Sequence, residues 1–271
     1  MKKFVKIISL ICILSIVCVL AVACKSADAQ KQVWFDKEVF VYSVLDTTGQ
    51  LARTGTLTMT TERLNNVDIS AGNYQINGFI GTMVSWELVM DANSENDVET
   101  INAKSWFTNS QVPKLSYKKY NLASNTTEIA AKYETDTYRY TIDGTEKTLS
   151  IKKGATLVDN ESLYIVLRTY DLDFSSFSAS FSIPSPQLAQ IEPMAVKTGT
   201  GKTLTVPFGT FDTILVGVSV NSKFSGRAFA VYYASKPYVY SASGLTRSME
   251  YLPVQIEENG VIYSLESVTC K

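Results

Sequence analysis

Histidine is absent from the 271 residues. With it go the commonest general base, the imidazole ligand of most zinc and many iron or copper sites, and every Ser-His or Cys-His catalytic pair. Carboxylate chemistry stays open, because paired Asp or Glu side chains can do acid and base work alone. Cysteine is scarce as well: Cys12 and Cys18 sit in an N-terminal apolar run, Cys24 ends it, and Cys270 stands alone near the C-terminus. A single thiol cannot form an internal disulfide, and Cys270 is read as inert. There is no excess of basic residues, with 25 Lys and Arg against 26 Asp and Glu, so the chain offers no footing for nucleic acid. The glycine-rich stretch Gly199 to Thr203 lacks the Gly-x4-Gly-Lys spacing of a phosphate loop, since residue 196 is Val, and is read as a turn.

What is present begins with an address. Lys2, Lys3 and Lys6 precede seventeen uncharged residues, Ile7 to Ala23, that close on the small pair Val22 and Ala23. That is the charged, apolar, small-residue order of a secretory signal. The segment LAVACKS (20–26) resembles the lipobox of bacterial lipoproteins, with Ala21 where that family usually has leucine. The resemblance implies cleavage before Cys24 and lipidation of that cysteine, giving a signal peptide over 1–23 and a palmitate-bearing N-terminus. The alternative is an uncleaved helical anchor; either way the basic N-terminus stays inside and the rest lies extracytoplasmic, held at the cell membrane. Removing the first 23 residues leaves 22 basic against 26 acidic side chains, a formal charge of −4.

Residues 24–35 read as a polar tether, and 36–271 as one domain long enough to bury a sizeable core. That domain is rich in Thr, Val, Ile, Tyr and Phe, in short runs punctuated by Gly, Asn and Asp, which predicts strands and turns. Strands are expected over 38–44, 51–60, 74–80, 82–90 and 100–107, with turns at Thr48-Gly49, at Gly81 and through the polar stretch 91–97. A tyrosine-rich middle follows, where Asp143-Gly144 between 135–142 and 148–151 is a strong hairpin signal. One helix is predicted around 161–170, capped by Asp159 or Asn160, with Leu163, Val166, Leu167 and Tyr170 on one face packed against a sheet. Another strand is expected over 175–182. Pro184, Pro186 and Pro193 then predict a loop or crossing, before a last meander over 202–206, 211–221, 227–234, 237–242, 246–256 and 261–268. The expected fold is all-β and mostly antiparallel: a curved sheet, β-roll or half-barrel with one short helix.

Three segments, DNESLYIVLR (159–168), TVPFGTFDTILV (205–216) and FAVYYASKP (229–237), resemble the exported bacterial family of unknown function DUF3108. The likeness spans roughly residues 150 to 256. It implies a curved antiparallel β structure in the cell envelope and carries over no catalytic set.

The polar residue of most interest is Arg168, which ends the predicted helix beside Asp171 and Asp173. A cation there is stabilised by the helix dipole, by about 0.3–1 kcal/mol; anion or ligand contact is the other reading. Asp171 and Asp173 lack a calcium-loop spacing and read as a solvated turn. Trp34, Trp86 and Trp106 either fill the core or line a cavity, and the tyrosines Tyr117, Tyr120, Tyr133, Tyr138 and Tyr140 line strand faces or form a ligand platform. Arg168, Trp86 and Trp106 are therefore the candidate ligand contacts, with no catalytic residue, metal set or cofactor motif assigned. The leading functional expectation is a non-enzymatic envelope lipoprotein that binds an apolar or amphiphilic ligand, or a protein partner. The alternatives are an assembly scaffold and a carboxylate-dependent glycan hydrolase.

Overall fold

The computed structural model describes residues 35–46, 53–91, 98–122, 125–173, 177–220, 228–242, 245–258 and 260–271. Cys24, the tether as far as Trp34 and the turn at Thr48-Gly49 lie outside the described residues, as does most of the polar turn 91–97, whereas Phe35, expected as the end of the tether, is buried in the core. All described residues belong to one compact unit, Val33–Lys271.

The strands are β1 (Lys37–Asp46), β2 (Arg53–Ala71), β3 (Tyr74–Met90), β4 (Val98–Phe107), β5 (Pro113–Leu122), β6 (Thr126–Tyr133), β7 (Thr137–Ile142) and β8 (Thr145–Ser150). After helix α1 (Asn160–Val166) and a 3-10 turn (Leu167–Thr169) come β9 (Ser178–Ser185), β10 (Gln190–Gly199), β11 (Thr203–Val206), β12 (Gly209–Val220) and β13 (Ala228–Ala234). The chain closes with β14 (Tyr238–Ala242), β15 (Leu245–Met249), β16 (Pro253–Glu258) and β17 (Val261–Cys270). Fifteen of them form one sheet, ordered β8-β7-β6-β5-β4-β3-β2-β1-β17-β16-β13-β12-β10-β9 with β11 beside β12, while β14 and β15 pair separately. Its ladders are antiparallel. Among the described residues the fold is all-β with one short α-helix, a large curved sheet not closed into a barrel.

The two ends of the sheet meet without pairing. Tyr133, Tyr138 and Tyr140 pack with Leu157 and Ile191, and the Tyr140 hydroxyl donates to the Pro186 carbonyl at 3.3 Å. The segment between β8 and α1 then lies along the free edge of β9: Ser182 N–H donates to Thr156 O, and Val158 N–H to Ser182 O. The seam is thus closed by side chains and one short segment, where full barrel closure would use a strand ladder.

Several sequence expectations change. Gly81 does not turn the chain, because β3 runs unbroken through it; a Cβ there would stand 2.3 Å from the Phe107 carbonyl oxygen, so glycine answers to a close approach between strands. Strand β2 extends to Ala71, well beyond residue 60. With bulges around Val67 and a left-handed Asn66, the end of the β2–β3 hairpin folds over the outer face of the sheet. There Ile69, Ala71, Tyr74 and Ile76 pack on Trp106, Leu115, Tyr117 and Ala130.

The proline-rich stretch is the β9–β10 hairpin. Pro184 is on the edge strand, and Pro193 lies one residue outside the β10–β12 ladder, so neither missing N–H breaks a pair. The run 246–256 is split by Tyr251, whose φ of 52° turns β15 away from β16. The Asp143-Gly144 turn is as expected, both residues having positive φ (48° and 79°).

Candidate functional site: a buried helix and the rim above it

Helix α1 differs most from expectation. A helix packed on a sheet keeps one face polar, yet every side chain from Glu161 to Thr169 is buried. Such a helix sits inside a core. Its partners come from both halves of the curl: Trp86 of β3 (5.2 Å between ring centroids) and Phe229 of β13 (5.6 Å) flank Tyr164. The Tyr233 hydroxyl of β13 donates to Tyr164 O at 2.7 Å, and the Tyr164 hydroxyl to Glu258 of β16 at 3.1 Å. The helix plugs the half-barrel.

Its C-terminal end is fixed by Arg168. The guanidinium, fully buried, donates from Nη1 to Glu38 Oε2 at 2.6 Å and from Nη2 to Glu38 Oε1 at 3.3 Å, a forked ion pair with a second fully buried residue. It also lies 5.7 Å above the Phe40 ring, and its Nε approaches Glu250 O. The expected neighbours Asp171 and Asp173 are exposed instead, in the turn after the helix, where Asp171 accepts from the Tyr251 hydroxyl at 3.4 Å. Arg168 is therefore a core ion-pair partner out of reach of ligand. Neighbouring Cys270 is buried, and desolvation raises its thiol to about 12, so the thiolate is suppressed.

The N-terminal end carries a second buried polar cluster. Asp159 holds the N-cap backbone position, as its sequence suggests, but makes no capping bond; its Oδ1 accepts from the Tyr133 hydroxyl at 2.7 Å. Glu161 Oε2 lies 2.6 Å from Lys118 Nζ of β5. Desolvation raises Glu161 to about 7, Lys118 opposing and Asp159 adding to the rise. Burial alone would lower Lys118, yet Glu161, Asp159 and Tyr120 together raise it and hold the ammonium charged. The indole N–H of Trp86 donates to the Glu161 carbonyl at 3.1 Å. Residue types gave no hint of this cluster, because Lys118 and Glu161 are 43 positions apart and only the fold joins them.

The two tryptophans put forward as ligand contacts are on opposite faces of the sheet, since residues three apart on paired strands cannot share a face. Trp86 points inward against α1 and sits 6.2 Å from Tyr263; Trp106 points outward under the folded-back hairpin. The tyrosines divide likewise. Tyr133, Tyr138 and Tyr140 are buried at the seam, Tyr120 is half-buried near the Lys118 cluster, and Tyr117 is on the outer face. None forms an open platform.

Above Tyr164 the rim of the sheet opens into a recess of about 390 Å³ lined by Ala228, Phe229, Ala230, Glu257, Glu258 and Val261, with Gly260 and Ile262 completing it. Its walls are mostly apolar, with two carboxylates at the margin. Among the described residues no three Cys, Asp or Glu side chains are grouped to hold a metal ion, and no helix is long and apolar enough to cross a membrane.

No family model matches the chain, and no curated protein matches it in sequence. Among solved structures it is similar to the crystal structure of a β-barrel-like protein of the domain of unknown function DUF1849 from Brucella abortus. That match has a TM-score of 0.52 at 10% identity over 89% of this chain and 100% of the other. At that identity the likeness bears on the fold alone.

Proposed function

We propose that this is an extracytoplasmic binding protein, tethered through a lipid on Cys24, without enzymatic chemistry, and related to the DUF3108 proteins it resembles. The observation that carries the binding reading is the position of α1. A lipid carrier needs a hollow interior; here Leu163, Tyr164, Ile165, Val166 and Leu167 fill it. Binding is thereby directed to the rim recess, whose volume is at the low end of small-molecule sites at about 300–1,000 Å³. Apolar walls beside Glu257 and Glu258 suit a small amphiphile with a cationic or hydrogen-bond-donating head. The carboxyls of Asp159 and Glu161 are buried, with Glu161 held against Lys118, so that pair does not line the recess.

Native mass spectrometry of the full chain purified from an exporting host, followed by organic extraction, tests the binding reading. A bound amphiphile is expected in the wild type and absent from Ala228→Trp, which fills the recess from an exposed position. A ligand-free wild type that also takes up no added dodecylammonium overturns it. The tether is tested separately: Cys24→Ala should abolish palmitate labelling and move the protein out of the detergent phase, and unchanged labelling rejects lipidation at that residue.

A further inference from the structure

Two carboxylates stand at the rim recess, and the strand register gives them different surroundings. Glu257 and Glu258 are adjacent on β16, so their side chains leave opposite faces of the sheet. Glu258 is the inward one: it accepts from the Tyr164 hydroxyl of the plug at 3.1 Å and pairs in register with Phe229 on β13 and Val261 on β17. It is half-buried, as is Val261. Glu257 is outward, in register with Ala230 and Ile262 and on the face that carries Gln255 and Tyr232. Each carboxylate therefore sits between two apolar neighbours, and the recess reaches both.

Their polar partners separate them. Glu257 already meets a cation, for Lys202 Nζ lies 3.8 Å from its Oε1 and 4.7 Å over the Tyr232 ring, and Gln255 Nε2 donates to Oε1 at 2.7 Å. Glu258 is held by a neutral donor, the Tyr164 hydroxyl, on a ring set between Trp86 and Phe229. The Tyr164 backbone is tied in turn, its carbonyl accepting from the Tyr233 hydroxyl at 2.7 Å. Burial raises the Tyr164 hydroxyl well above its ordinary range, so it stays protonated and donates without cancelling the charge of Glu258. A carboxylate has about four acceptor sites, so one that holds Tyr164 also has room for a head group.

We propose that Glu258 is the head-group contact of the recess and that Tyr164 positions it, which selects a singly charged alkylammonium. The ammonium donates to Glu258 and the chain lies along Phe229 and Val261. This role for Glu258 rests on the recess being the binding site and adds the ligand class. Hydrogen bonds to a charged partner are about twice as strong as neutral ones, so an ammonium head outcompetes a hydroxyl. An anionic head meets two carboxylates and is repelled. A second cationic group finds Glu257 already paired with Lys202.

Equilibrium dialysis of the full chain at neutral pH against dodecylammonium and against dodecanol, which share a chain and differ in head group, tests this. The wild type should bind dodecylammonium about tenfold or more tightly than dodecanol. Glu258→Gln should erase that preference with dodecanol uptake retained, and Glu257→Gln should erode it severalfold less. Tyr164→Phe keeps the ring and loses the hydroxyl; it should lower the preference while the chain still binds, whereas a purely structural role would weaken both probes alike. Where a variant does not fold, the wild type answers through salt: dodecylammonium uptake should weaken as ionic strength rises, and dodecanol uptake should not. Equal affinity of the wild type for both probes, a preference that survives Glu258→Gln, a larger loss from Glu257→Gln or salt-independent dodecylammonium uptake overturns the role of Glu258 and leaves the recess a plain apolar site. A wild type that takes up neither probe overturns the binding reading as well.

Discussion

Replacing Arg168 by methionine should destabilise the fold by about 3–5 kcal/mol, because it leaves the Glu38 carboxylate buried and without its cation. Both partners are fully shielded from water, and among the described residues Glu38 otherwise accepts only from Phe35 N–H at 3.2 Å. Methionine keeps much of the packing over Phe40 but supplies no donor. The double variant Arg168→Met, Glu38→Leu removes both charges and should recover most of the loss, since an apolar pair of similar volume in a core is often as stable as the ion pair. Urea unfolding of the three variants checks this. Equal losses in the single and double variants would mean that Arg168 acts through packing and that its charge is incidental.

The sheet was legible in the sequence because its signals are local. Alternation in Gly55 to Thr60, the Asp143-Gly144 turn and the β-branched and aromatic runs each report on a few adjacent residues, and the structure keeps them. The departures arise where distant residues decide. Gly81 reads as a turn until Phe107 is brought against it, and Pro193 reads as a breaker until the end of the β10–β12 ladder is known. Strand β10 was hidden behind that proline.

Helix α1 was legible in place and length, since Asp159 does begin it and it ends near Arg168. Its surroundings were not. Apolar spacing at Leu163, Val166, Leu167 and Tyr170 describes one face, while burial of the opposite face is a property of a sheet curled around it. Tyr164 and Ile165 were there to be read as an apolar second face, and with Leu163 to Leu167 they make an unbroken apolar run of the kind a core helix carries. Arg168 stands out in the sequence as a charge in an apolar setting, while its partner Glu38 is 130 residues away and only the fold identifies it. The same holds for Lys118 with Glu161.

Trp86→Ala should cost about 3–5 kcal/mol, the range for truncating a large buried aromatic, and should act beyond its own site in a way that Trp106→Ala does not. The indole touches three separate parts of the plug and rim: Tyr164 and Tyr263 through their rings and the Glu161 carbonyl through its N–H. Truncation opens a cavity beside the first turn of α1, so urea unfolding should show the loss and amide exchange at Leu163 should accelerate along with it. Trp106 is as deeply buried but lies across the sheet, against Ile69, Leu115 and Ala130, so its loss should loosen the folded-back end of the β2–β3 hairpin and leave α1 amides protected. Trp86→Phe separates ring from N–H: the ring stack is largely retained and the carbonyl loses its indole donor, an effect of about 1 kcal/mol. If Trp86→Ala and Trp106→Ala alter the same set of amides, the sheet transmits strain between its faces and the plug is not an independent packing unit.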